Sequence, residues 1–125
     1  MAALTSMNPD EIDTVKRIAQ SEDVPVFMLN LNKYRDEAGF PDGTLYRDYM
    51  SVLKRLLSEV GGRILWRTAV LGHVVGTQAV NEAIGIWYPS HQSILNLMSA
   101  PSSGENMRLR SLAVEQADLH RCRPY

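Results

Sequence analysis

Val24-Pro25-Val26-Phe27-Met28-Leu29-Asn30-Leu31-Asn32 is apolar at both alternating sets of positions as far as Asn30. A strand with one wet face alternates apolar with polar residues, so this run predicts a first strand covered on both sides. Upstream, Asn8-Pro9-Asp10-Glu11 supplies a cap candidate, a proline at the first helical position and acids at the positive end of a helix dipole, which predicts a short helix to about Gln20. Downstream, Asp36, Gly39, Pro41, Asp42 and Gly43 cluster as turn formers, making residues 33–43 the longest irregular stretch.

Beyond that loop, Thr44 is placed to cap a helix whose apolar positions Leu45, Tyr49, Leu53, Leu56, Leu57 and Val60 recur at three and four, ending at Gly61-Gly62. Residues 63–71 are rich in strand formers and begin by alternating charged with apolar, which predicts a long second strand. Gly72 and Gly76 mark a bend around His73. A third strand is expected from Glu82 to Tyr88, closed by Pro89. Ser90 then caps a helix through Met98, with Ile94, Leu97 and Met98 inward. After the break at Ala100 to Gly104, a helix from Glu105 to about Ala117 is expected to bury Met107, Leu112 and Val114, and Leu119 to Arg123 to form a last strand. The order is that of an α+β, ferredoxin-like split βαβ plan, in which helices cover one face of a four-stranded antiparallel sheet, here with an extra N-terminal helix. Its other face is bare in a single copy. Because both faces of the first strand are apolar, the bare one requires a cover, and a homodimer joined sheet against sheet is expected. The division is residues 1–23 as a helical extension and 24–125 as the domain.

Composition bounds the function. The 125 residues carry 13 Lys and Arg against 14 Asp and Glu, so a net charge of −1 offers no general grip on nucleic acid or anionic lipid. A single cysteine, Cys122, forms no internal disulfide, no apolar run reaches the roughly 20 residues of a membrane span, and the first residues lack the pattern of a signal peptide. The expectation is a cytoplasmic protein with no nucleic-acid and no membrane partner. No Gly-x-Ser-x-Gly elbow, phosphate loop or dinucleotide fingerprint is present, and no two histidines have helical ligand spacing, so neither a metal nor another cofactor is expected.

Met28-Leu29-Asn30-Leu31-Asn32-Lys33-Tyr34-Arg35 resembles the Met-Leu-Asn-Leu-Leu-Lys-Phe-Arg signature of domain-of-unknown-function family 1330, in the dimeric α/β-barrel superfamily. Tyr46-Arg47-Asp48-Tyr49, Gly61-Gly62-Arg63-Ile64-Leu65-Trp66 and Trp87-Tyr88-Pro89-Ser90 follow in that family's order, so the likeness spans about Val24 to Pro124. Asn32 departs from an apolar position, and Pro101-Ser102-Ser103-Gly104 interrupts a stretch that is continuous in the family. The resemblance implies a ferredoxin-like fold and a dimeric α/β barrel. The wider superfamily includes cofactor-free monooxygenases, lactone isomerases, polyketide cyclases and haem-degrading enzymes, and fold alone does not choose among them. Haem-degrading relatives use an Asn, a Trp and a His where this chain has Asn30, Leu97 and about Met107, so that chemistry is not implied.

Asn30 and Asn32 interrupt the apolar strand on one alternating face. A buried amide must find partners, either in a ligand's oxygen atoms or in loop backbone. Arg35, beside Tyr34, is suited to clamping a carboxylate, or else is solvated surface. Arg63 and Arg67 share one face if the strand is regular, at a dimer or pocket edge. Trp66 and Trp87 are either walls for an aromatic ligand or core. His73, beside the bend, is placed as a base reaching a cavity. His91, at a helix start, reads as part of an exposed face, and His120 faces either the dimer seam or solvent. Asp36, Asp42 and Asp48 are accounted for by turns and helix starts.

These residues compose a cofactor-independent isomerase, cyclase or monooxygenase acting on a small apolar carbonyl or aromatic compound held between sheet and helices. In it, His73 is the base, Asn30 and Arg35 orient oxygens, and Trp66, Trp87, Tyr34, Arg67 and Asn32 bind substrate. The alternative is a non-catalytic dimer that binds a hydrophobic metabolite or acts as an accessory protein.

Overall fold

The computed structural model describes residues 7–124, so the first six residues of the expected extension and Tyr125 lie outside the described residues. Helix α1 spans Pro9–Gln20. It is followed by β1 (Val26–Tyr34), a 3-10 turn (Asp36–Ala38), α2 (Thr44–Glu59), β2 (Arg63–Ala69), β3 (Glu82–Tyr88), α3 (His91–Asn96), α4 (Ser103–Ala113) and β4 (Val114–Cys122). The strands form one antiparallel sheet in the order β2-β3-β1-β4, the arrangement of the split βαβ plan.

Strand periodicity sorts side chains between two surfaces. Val26, Met28, Asn30, Asn32 and Tyr34 of β1 and Glu82, Ile84, Ile86 and Tyr88 of β3 are buried on the helix side. Tyr49, Met50, Leu53 and Leu57 of α2 and Leu109 and Ala113 of α4 close over them. Leu57, Ile84 and Ile86 are fully buried, each contributing roughly 1.5–3 kcal/mol of hydrophobic free energy. The opposite surface carries Phe27, Leu29 and Leu31, only half-buried, together with Trp87 of β3 and Trp66 of β2, the latter 45% exposed. Gly85 lies at its centre. A Cβ there would stand 2.6 Å from Trp66 Cε2 and 2.8 Å from Phe27 Cζ, so only glycine lets the two rings meet over β3.

A bulge in β2 alters the expected facing. Register slips between Ile64 and Trp66, so Arg63 lies opposite Trp87 on the open surface while Arg67 lies opposite Ile84 on the helix side. One extra residue thus separates two arginines that strict alternation would place together.

Four further expectations are corrected. Gly43, not Thr44, is the cap position of α2, and Thr44 is its first helical residue. The helix capped by Ser90 gives way to a 3-10 turn at Leu97–Ser99, which leaves Met98 exposed. Helix α4 ends at Ala113 and β4 begins at Val114, because Asn106, Leu109 and Ala113 share a face at spacings of three and four; Met107 and Leu112 point outward. His91 is buried rather than exposed: Asp23 Oδ1 accepts its backbone N–H at 2.6 Å, and its Nδ1 lies 2.9 Å from the Val24 carbonyl.

Candidate functional site

Glu82 opens an otherwise apolar strand, in phase with Ile84, Ile86 and Tyr88, and its side chain is carried under the helices at 3% exposure. Burying a carboxylate costs several kcal/mol unless its oxygens are satisfied. Two phenols satisfy it here. Tyr34 donates to Oε1 at 2.6 Å, and Tyr46, from the first turn of α2, donates to Oε2 at 2.8 Å. Each phenol oxygen accepts in turn: Tyr34 from Asn32 Nδ2 at 3.2 Å, Tyr46 from Arg67 Nη1 at 3.2 Å. Because amide and guanidinium nitrogens only donate, each tyrosine's single proton is directed at Glu82.

Local chain chemistry builds this cluster. Register pairs Asn32 with Glu82, Tyr34 follows on the same face, and the β2 bulge turns Arg67 toward α2. Gly43 permits the tight approach that starts α2, since a Cβ there would fall 2.5 Å from the Ala38 carbonyl oxygen. Phe40 stacks on Tyr34 at 5.1 Å between ring centroids, and Tyr46 meets both rings edge-on. Burial pushes the Tyr34 phenol well above its ordinary pKa; the Asn32 bond opposes this and Glu82 adds to it. Tyr46 is raised by burial and then by Glu82, with Arg67 opposing. Both tyrosines therefore hold their protons at neutral pH.

A cleft of about 470 Å³ reaches the cluster from outside, within the usual size of small-molecule sites. Tyr46 and Arg67 are shared by cleft and network; Pro41 and Met50 supply apolar wall, and Arg47, Ser51 and Lys54 line the rest.

The structure brings Asn32, Tyr34 and Arg67 into the network. Asn30 lies on the same strand face, with its Oδ1 buried and without a partner, as is Oδ1 of Asn32. Arg35 caps the 3-10 turn, its N–H bonded to the Ala113 carbonyl, and does not line the cleft. His73 stands exposed on the 70–81 connection, outside the network. Trp66 and Trp87 lie on the open surface, where Arg63 stacks over Trp87 at 5.1 Å, and His120 lies opposite Leu29 on that surface. Glu82 and Tyr46 were not among the sequence candidates. Glu82's phase with Ile84 and Ile86 was a readable signal. Among the described residues no group of three or more His, Cys, Asp or Glu is arranged to hold a metal, and no helix is long and apolar enough to cross a membrane.

No protein-family model matches the chain, and no curated protein matches it in sequence. Solved structures do. RPA0582, a protein of unknown function from Rhodopseudomonas palustris, superposes in two crystal structures with TM-scores of 0.78 and 0.76 at 22% and 23% identity. The alignments cover 100% and 96% of this chain and 97% and 95% of the matched chains. A DABB-family protein with a ferredoxin-like fold from Mesorhizobium loti aligns over 81% of this chain and 97% of its own, with a TM-score of 0.59 and 10% identity. The fold is ferredoxin-like. The same ferredoxin-like fold appears in a dimeric protein of unknown function from Bacteroides fragilis, with a TM-score of 0.52 and 11% identity over 80% of this chain and 96% of that one.

Proposed function

We propose that the protein is a cofactor-independent proton-transfer enzyme, working as a homodimer, that isomerises or cyclises a small carbonyl or aromatic compound. The observation that carries this reading is a buried carboxylate receiving the proton of a tyrosine that itself lines a cleft. A ligand C–H next to a carbonyl breaks, and its proton goes to the Tyr46 oxygen as the tyrosine's own proton passes to Glu82. The electron pair moves onto the carbonyl oxygen as an enolate, which the Arg67 guanidinium stabilises. Return of the proton at another carbon completes an isomerisation; attack of the enolate on a second carbonyl forms a ring, and the resulting alkoxide takes the proton back from Tyr46 as Glu82 returns its own.

The dimer rests on the open sheet surface, where Phe27, Trp66 and Trp87 gather, and the resemblance of Met28–Arg35 to the family-1330 signature is in keeping with it. Deuterium uptake at the α-carbon of aryl and alkyl ketones in heavy water, followed by mass spectrometry, tests the chemistry. Wild type accelerates uptake over buffer, and Tyr46→Phe and Glu82→Gln each lose on the order of a hundredfold or more of that acceleration. Undiminished acceleration in both folded variants refutes the assignment. A ligand bound and released without exchange points instead to a binding protein.

A further inference from the structure

Arg47, Ser51 and Lys54 recur at intervals of four and three on α2, which sets them along one stripe, and all three line the cleft. Residues three and four positions away from Arg47 and Lys54 include no acid: they are Gly43, Met50, Ser51, Leu57 and Ser58, with Thr44 before Arg47. Asp48, next to Arg47 in the chain, faces elsewhere on the helix. The third cation, Arg67, enters from β2 with its guanidinium held by the Tyr46 hydroxyl. Among the described residues none of the three forms a salt bridge, whereas Arg55, one residue beyond Lys54, pairs with Glu105 at 2.7 Å. The cleft lining contains no carboxylate, and the Glu82 oxygens behind Tyr46 are occupied by the two phenols. Three like charges around one concavity raise the local concentration of an anion. Arg47, Ser51, Lys54 and Arg67 are all exposed, but a shared concavity, a hydroxyl between two of the cations and a guanidinium held by Tyr46 set them apart from scattered surface charges.

We infer that this cleft binds a small organic acid, its carboxylate received by Arg47 and Lys54 and its hydroxyl or carbonyl directed to Arg67 and Tyr46. Pro41 and Met50 give the hydrocarbon part an apolar wall, which favours an aryl or acyl carboxylate over a bare inorganic anion. The inference rests on the proton-transfer reading for the placement of the carbonyl, and adds the charge of the substrate.

Salicylate tests it, with salicylamide as the neutral counterpart and inorganic phosphate as the third arm, each titrated into uniformly 15N-labelled full-length protein. Salicylate should shift the amides of residues 43–54 and 67, and salicylamide should not. The Arg47→Gln/Lys54→Gln double variant should bind salicylate at least about tenfold more weakly with an unchanged melting temperature, and added salt should weaken wild-type binding. Equal binding of salicylamide, or of salicylate by the double variant, overturns the inference. So does phosphate that saturates the cleft while salicylate fails to displace it. The two readings separate in Glu82→Gln: salicylate binding retained with exchange lost supports both, binding retained with exchange intact refutes only proton transfer, and no salicylate binding to wild type refutes only the carboxylate site.

Discussion

Raising the pH probes the buried tyrosines directly. Tyr34, Tyr46, Tyr49 and Tyr88 are each no more than 5% exposed, and burial, the first cause in every case, lifts their phenols above the ordinary value. Below about pH 10 the folded and unfolded chains hold these protons alike, so stability is unaffected there. Above it the unfolded chain releases protons that the folded chain keeps, and stability falls by about 1.4 kcal/mol per pH unit for each tyrosine. Four tyrosines acting together reach about 5.5 kcal/mol per unit, the raising at Tyr46 and Tyr49 being opposed in part by Arg67 and Arg110. Against a domain stability of about 5–15 kcal/mol, the chain should unfold cooperatively between about pH 11 and 13. Tyrosinate absorbance and far-ultraviolet circular dichroism recorded along one titration should therefore change together for these four residues. Their ionisation near pH 10 with the dichroism intact would contradict the packing described, and with it the claim that Tyr46 carries its proton into catalysis.

Removing one phenol by Tyr34→Phe leaves Asn32 Nδ2 and Glu82 Oε1 unpaired and should cost about 1.5–3 kcal/mol by urea unfolding; a loss below about 0.5 kcal/mol would mean that the network is not sealed. Gly85→Val forces Trp66 and Phe27 apart, so with the proposed sheet-to-sheet pairing sedimentation should show weakened self-association and thermal melts a loss of about 1–3 kcal/mol, whereas an unchanged assembly would remove the open surface from the interface. Asp23→Ala removes the carboxylate that accepts the His91 and Gln92 backbone N–H groups and should cost about 0.5–2 kcal/mol. Burial raises the Asp23 pKa, but the His91 and Gln92 N–H groups and the His91 charge bring it below the usual range. Its contribution is thus present above about pH 4 and lost on acidification, and the variant's stability should vary less with pH below that value.

Much of the fold was legible because its signals are local. Glu82 to Tyr88 is a strand bounded by Pro89, and the α2 stripe from Leu45 to Leu57 repeats at helical spacing. The β2 bulge was not, since Ile64, Leu65 and Trp66 are all apolar and alternation carries no mark of a slip within them. His91 was misread because its partner Asp23 is 68 residues away, a contact made by tertiary packing rather than by neighbours. The candidate site was half legible. Asn32, Tyr34 and Arg67 stand out as polar residues in or beside strands, while Glu82 and Tyr46 look like ordinary strand-start and helix-start residues until their phase with buried neighbours is counted.

The slip at Leu65 decides which of two adjoining side chains meets which surface. A ladder that took Leu65 into register opposite Gly85 would move Trp66 to Ile84 and Arg67 to Ala83, setting indole against the Tyr46 hydroxyl and guanidinium toward the rings of Phe27 and Trp87. A one-residue pairing error in this edge strand would then impair both halves of the molecule at once, which no single substitution at either residue would do.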